Sequence, residues 1–257
     1  MELFESGPLL DEVDLLVFVH IPKCGGTSVH RFMHRLMGSE YLNVHQKLVE
    51  HGLTGHIRSQ SKITSIGGHF GIGENPAIAL LPDRNLKYFS LVRDPVDRFI
   101  SHYRYFTRSP KSLLLQQVPE VAHYSLREFV QFMRDKGTSQ FNVQVYMLTG
   151  RRRFDETARI SLQKNYVGVV PSEHSSVLFE RLAGHFGQPE FENIRENISP
   201  EVDNLNLDDD SLRYIYSVSM EDLKLYNFVR VWFARSFLGR LGSGADQSAK
   251  RPHRQQP

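Results

Sequence analysis

The stretch LLVFVHIPKCGGTS, residues 15–28, decides the fold. Residues 15–21 are nearly all apolar and rich in β-branched and aromatic types. That reads as a buried strand, central in a parallel sheet. Pro22 has no N–H to give to a ladder, so the strand stops there. Gly25 and Gly26 permit a tight turn and a close backbone approach to a ligand. Thr27 or Ser28 suits the first turn of a helix, and Val29, Phe32, Met33 and Leu36 follow on one helical face. The unit is strand, glycine turn and helix, with Lys23 in the turn. Unpaired N–H groups and the dipole at the helix start, with Lys23 and two hydroxyls beside them, suit phosphate or a similar anion. A strand–turn–helix that holds no ligand is the alternative reading.

Further along, KYFSLV at residues 87–92 reads as a second strand, followed directly by Arg93-Asp94-Pro95. Asp94 suits an N-cap and Pro95 the first helical position. The helix spans 96–106 with Phe99, Ile100, Tyr103 and Phe106 on one face. Arg93 ends a strand and Ser101 lies two turns into the helix, so both can reach one phosphate at the strand end. Arginine suits that task because its planar fork donates two parallel hydrogen bonds. Arg98, between them, reads as an exposed helical residue or an ion-pair partner of Asp94.

The remaining elements complete an alternation. A brief strand at 63–66 runs into Gly67-Gly68-His69-Phe70-Gly71, where backbone comes close to something. A third strand covers 166–170. Helices are expected at 109–118, 125–134, 141–148, 155–164 and 172–186, with a helical turn within 41–51 and a short helix at 76–81. One or two helices fill 208–237, broken near Ser219. Strands alternating with helices give an α/β fold with a mostly parallel sheet. Residues 1–14 form an acidic arm, residues 15–238 one domain, and residues 239–257 a disordered tail of Gly, Ser, Gln and basic residues.

The bulk numbers exclude several classes. The chain has 257 residues, 40% of them hydrophobic, enough for a real core. A net charge of +2 decides nothing about a nucleic-acid partner. One cysteine excludes an intrachain disulfide framework and a Cys-based zinc site. No run of about 18 apolar residues is present, so no membrane span is expected. The first 14 residues carry five acids and no Lys or Arg, the wrong charge for a secretory signal. A soluble, cytoplasmic protein is the expectation.

The usual phosphate loop places Lys after the glycines, as GxxxxGK. Here Lys23 precedes them, which disfavours an ATP- or GTP-hydrolysing loop. FVHIPKCGGTS, residues 18–28, instead resembles the opening motif of carbohydrate O-sulfotransferases related to the heparan sulfate 2-O- and 6-O-sulfotransferases. The family's usual form has Thr where this chain has Cys24. RDPVDRFISHY, residues 93–103, is similar to the RDPxxRxxSHY signature of the same enzymes. Fainter similarities lie in FNVQVYMLTG (141–150), YVGVVPSEH (166–174) and LKLYNFV (223–229), so the likeness covers roughly residues 15–232. The resemblance implies a three-layer, P-loop-like sulfotransferase fold. It implies 3′-phosphoadenosine 5′-phosphosulfate (PAPS) as co-substrate, without a metal. Lys23, Cys24, Gly25, Gly26, Thr27 and Ser28 would hold the 5′-phosphosulfate, and Arg93 and Ser101 the 3′-phosphate. The acceptor would be a hydroxyl of a carbohydrate or glycolipid, with no nucleic-acid partner.

Sulfuryl transfer needs a group to take the acceptor's proton and positive charge on the departing oxygens. Lys23 suits the departing oxygen. The resembled enzymes carry a Gly-His element whose His is the base, which implies His69 here; the alternative is a His merely hydrogen-bonded in a glycine turn. His20 reads as a buried strut first and a catalytic group second, and His56 is an outside candidate. His102 reads as helix packing, and His123, His174, His185 and His253 carry no assigned role. Cys24, next to Lys23 at a helix start, should have a lowered thiol pKa, yet no step needs a thiol and it reads as a small turn residue. Arg151, Arg152 and Arg153 bind an anionic glycan or form a solvated corner, the second reading leading. Asp203 and Asp208, Asp209 and Asp210 read as loop and cap residues. Two rivals stand beside the transferase: a nucleotide-binding module without catalysis, and a P-loop-type kinase.

Overall fold

The structure, a computed structural model, describes residues 14–44, 63–75, 78, 81, 83–136, 141–188 and 207–243, with side chains as far as 235. Five parallel strands form one sheet: β1 (Asp14–Val19), β2 (Tyr41–Asn43), β3 (Ser65–Gly68), β4 (Asn85–Val92) and β5 (Tyr166–Pro171). Their order is β2-β3-β1-β4-β5. Every residue of β1 is buried, which explains the apolar run from Leu15 to Val19: a central parallel strand is covered on both faces. The buried hydroxyls of Ser65 and Ser90 donate to the β1 carbonyls of Leu16 and Val19, at 3.0 and 2.7 Å.

Nine helices flank the sheet among the described residues. They are α1 (Gly26–Met37), α2 (Pro95–Arg108), α3 (Leu113–Gln117), α4 (Leu126–Asp135), α5 (Val143–Thr149), α6 (Glu156–Asn165), α7 (Ser175–His185), α8 (Asp209–Val218) and α9 (Met220–Ser243). In α1 the buried residues include Val29, Phe32, Met33 and Leu36, the expected face. Asp94 caps α2 by accepting from Val96 N and Asp97 N, with Pro95 in the first turn. Ser125 and Glu128 form a capping box at the start of α4. A second apolar cluster, away from the sheet, joins Phe99 and Tyr103 of α2 to Phe129 and Met133 of α4 and Ile215 of α8.

Several expectations are corrected. Residues 41–43 of the 41–51 segment form a strand, pairing with β3 from Tyr41↔Ser65 to Asn43↔Gly67; residue 44 is helical and the rest of the expected helical turn lies outside the described residues. The helix expected over 109–118 is confined to Leu113–Gln117, where Ser112 sets the start by accepting from Leu115 N. The break at Ser219 is present, but α9 runs on to Ser243, past Gly239. Most of the 76–81 segment and residues 45–62, with His56, lie outside the described residues, as do Asp203 and His253.

Candidate active site

Three adjacent strands deliver the site. His20 follows β1, His69 follows β3, and Arg93 follows β4. The registers Val19↔Gly68 and Val19↔Ser90 bring these strand ends level. The chain visits β2 and β3 on one side of β1 before crossing to β4 and β5. A crevice therefore opens at the carboxyl ends where the order reverses, the usual ligand position in open α/β sheets.

The crevice is a cleft of ≈ 470 Å³. Its walls include Lys23, Gly25, Gly26, Thr27 and Ser28 from the loop and first turn of α1. Arg93, Ser101, His102 and Tyr105 face them, and His20 and His69 complete the rim. Seven residues expected at the site from sequence thus share one cavity with His69. The eighth, Cys24, does not line it. Its side chain is 1% exposed and its thiol donates to Gln144 Oε1 at 3.5 Å. Burial pushes that thiol up to about 12, overriding the pull of Arg98 and Arg93, so the lowered pKa expected from its neighbours is corrected.

Lys23 and Gly25 both adopt left-handed backbone, with φ 70 and 87. For Lys23 that conformation is uncommon and marks a loop shaped by its surroundings. Arg93 Nη1 donates to the Lys23 carbonyl at 3.3 Å, and the Lys23 ammonium lies 4.4 Å from the centre of the Tyr105 ring. No carboxylate pairs with Lys23 or Arg93 among the described residues. Burial, and then the charge of Arg93, lower the pKa of Lys23. Burial, Arg98 and Lys23 drive His102 down to about 3, so it is neutral at physiological pH. Arg93 also acts on the Asp97 carboxylate. Two cations close enough to repel each other on one cleft still favour an anion between them.

His69 is exposed to the cleft. Its Nδ1 lies 3.0 Å from the His20 carbonyl, which can only accept, so Nδ1 carries the proton and Nε2 keeps a lone pair. The His69 and His20 rings stack at 3.9 Å between centres. His20 Nδ1 lies 2.9 Å from His30 Nε2, and His30 Nδ1 2.5 Å from the Tyr41 hydroxyl. A Cβ on Gly26 would collide with the His20 imidazole, so only glycine fits there.

Sequence reasoning missed the frame behind Arg93. Gln144 Oε1 accepts from Arg93 N and Gln144 Nε2 donates to Arg93 O, both at 2.9 Å, clamping that backbone. Asp222, fully buried, accepts from Gln144 N at 3.3 Å and Val145 N at 2.9 Å, capping α5 from a distance. Asn142 Oδ1 in turn accepts from Glu221 N and Asp222 N, each at 3.0 Å, at the start of α9. Arg98, read as an exposed residue or an ion-pair partner of Asp94, is 2% exposed, and its charge acts on Asp222, Cys24 and His102. The sequence signal was the faint family likeness of FNVQVYMLTG, which contains Asn142 and Gln144 and carried no mechanism by itself.

A second cleft of ≈ 500 Å³ shares Pro22 and His69 with the first. Phe70, Phe141, Tyr146 and Met147 give it apolar walls, and Glu74 and Arg152 supply charge. Tyr146 donates to Glu74 at 3.0 Å. Of the arginine run, Arg151 is held by Asp155 at 3.1 Å, leaving Arg152 at the cleft.

The sulfotransferase family matches residues 8–229. This chain belongs to the sulfotransferase family. It is 22% identical over 292 aligned residues to heparan-sulfate 6-O-sulfotransferase 2 of Gallus gallus, spanning 91% of this chain and 72% of that protein. Its fold is similar to a sulfotransferase from Alicyclobacillus acidocaldarius, with a TM-score of 0.50 and 12% identity, covering 85% of this chain and 98% of that one. No helix among the described residues is long and apolar enough to cross a membrane.

Proposed function

We propose that residues 15–238 form a PAPS-dependent O-sulfotransferase domain acting on a hydroxyl of a carbohydrate or glycolipid. The observation that carries this reading is that Lys23 and Arg93, close enough to repel each other, line one cleft with the glycine turn and His69. Family membership supports sulfuryl transfer, and the likeness to a heparan-sulfate enzyme supports a carbohydrate acceptor.

The cleft suits the donor. The glycine turn and the first turn of α1 offer backbone N–H groups and the Thr27 and Ser28 hydroxyls to the 5′-phosphosulfate. Arg93, clamped through Gln144, and Ser101 address the 3′-phosphate. PAPS supplies an activated sulfuryl group. The acceptor oxygen attacks sulfur, forming a new S–O bond while the bond to the nucleotide phosphate oxygen breaks. The acceptor's proton passes to His69 Nε2, and the negative charge on the departing phosphate oxygen meets the Lys23 ammonium. The second cleft, reached through His69, is the place for the acceptor, with Phe141 and Tyr146 offering ring faces and Arg152 a cation.

The test has two arms. The chain should bind adenosine 3′,5′-bisphosphate about 100-fold more tightly than AMP, since charge-assisted hydrogen bonds contribute about 1.5–3 kcal/mol each. Equal affinities by calorimetry refute the donor assignment. Incubation with labelled PAPS and a panel of glycans and glycolipids, with products identified by mass spectrometry, should show a sulfated hydroxyl. Tight bisphosphate binding without transfer to any acceptor favours a non-catalytic module.

A further inference from the structure

We infer that the stacked imidazoles of His20 and His69 are held in opposite tautomers. On this reading His20 presents an Nε2–H donor to the anion in the cleft while His69 presents a lone pair. Tyr41 and His30 are then positioning residues that set the His20 proton. The inference rests on the sulfuryl-transfer reading for what the anion is, and on geometry alone for the tautomers.

The chain of protons is fixed from its buried end. Tyr41, at the start of β2, is 3% exposed, and burial drives its hydroxyl pKa far up, so it stays protonated. Its hydrogen bond among the described residues is to His30 Nδ1. If the hydroxyl did not donate there, a buried donor would be left unmet, which is costly. Tyr41 therefore donates and His30 Nδ1 accepts. A neutral imidazole with an accepting Nδ1 carries its proton on Nε2. That proton faces His20 Nδ1 at 2.9 Å, which accepts in turn. The His20 proton is thus on Nε2, beside the backbone of Gly26 on the cleft wall.

His69 is set the other way by the His20 carbonyl. The two rings, 3.9 Å apart and 28° from parallel, place a donor and an acceptor side by side. This division of labour fits the charges of the reaction. A second lone pair beside a sulfuryl or phosphate oxygen would repel it, whereas an N–H stabilises the charge it gains. It also leaves the proton accepted by His69 next to a neutral ring rather than a cation. Two glycines make room for the relay: a Cβ on Gly26 meets His20, and one on Gly67 meets the Tyr41 hydroxyl.

The decisive experiment is long-range ¹H–¹⁵N correlation NMR on the full chain with ¹⁵N-labelled histidine, bound to adenosine 3′,5′-bisphosphate. The expected protonated nitrogens are Nε2 of His20, Nε2 of His30 and Nδ1 of His69. A His20 protonated on Nδ1 overturns the inference. Tyr41→Phe should mix the His20 tautomers and lower turnover about tenfold, the effect of one weakened hydrogen bond, with the fold retained by melting temperature. His20→Gln, whose amide N–H can reach the Nε2 position, should stay within about tenfold of wild type, whereas His20→Ala should lose about 10²–10³ in turnover. Equal losses in folded Gln and Ala variants overturn the donor role. The tautomers are read without turnover, so their failure and the failure of sulfuryl transfer are told apart.

Discussion

Replacing Asp222 with alanine should unsettle both stability and donor recognition, because its carboxylate sits where two helices and a buried cation meet. It is 0% exposed and caps α5 through Gln144 N and Val145 N. Burial pushes its carboxyl above the ordinary range, and Arg98 first, then the two backbone N–H groups, pull it back. Asp222→Ala orphans two buried donors and removes a carboxylate on which the buried Arg98 charge acts. Removing one partner of a buried charge interaction costs about 3–5 kcal/mol, and the lost cap is part of that sum rather than an addition to it. For a domain of this size the melting temperature should fall by about 10 °C. Asp222→Asn keeps an oxygen for one N–H and should lose roughly half as much. The same Asn variant should bind adenosine 3′,5′-bisphosphate several-fold more weakly, with AMP binding unchanged, because α5 carries the Gln144 that clamps Arg93. Differential scanning calorimetry and isothermal titration read the two effects. An alanine variant within about 1 kcal/mol of wild type, or an Asn variant less stable than Ala, refutes the reasoning.

Lys23→Ala should lower turnover by more than it weakens binding of the desulfated nucleotide, because its charge is needed most as the departing oxygen becomes negative; steady-state kinetics beside calorimetry decide it. Gly26→Ala should cost about 1–3 kcal/mol and most of the activity, since the new methyl displaces the His20 ring; an active variant with wild-type melting shows that the ring moves freely. His102, whose folded pKa is about 3 against an ordinary 6.5, binds its proton more readily when unfolded, so its contribution to stability is present above pH 6.5 and lost as pH falls toward 3. His102→Phe, keeping the stack on Phe106, should flatten that acid limb in melts between pH 7 and pH 4.

The long-range part of the site was the part hidden from sequence. β1 and α1 were legible because five apolar residues in a row, Leu15 to Val19, and a 3.6-residue period each have one physical reading. β2 was not, since a strand of three residues is too short to show a period. Arg98 in an amphipathic helix reads as a solvent-facing charge unless the buried carboxylate of Asp222, far along the chain, is known to act on it. Cys24 shows the same limit in reverse: its sequence neighbours lower a thiol pKa, but the protein packed over it raises it, and desolvation is the larger effect. His20 and His69 were each noticed, yet their stacking depends on the Val19↔Gly68 register, which no local pattern encodes. What sequence supplies at such a site is the set of chemical groups. Which nitrogen carries a proton, and which charges share one cleft, is decided by how the strand ends are brought level.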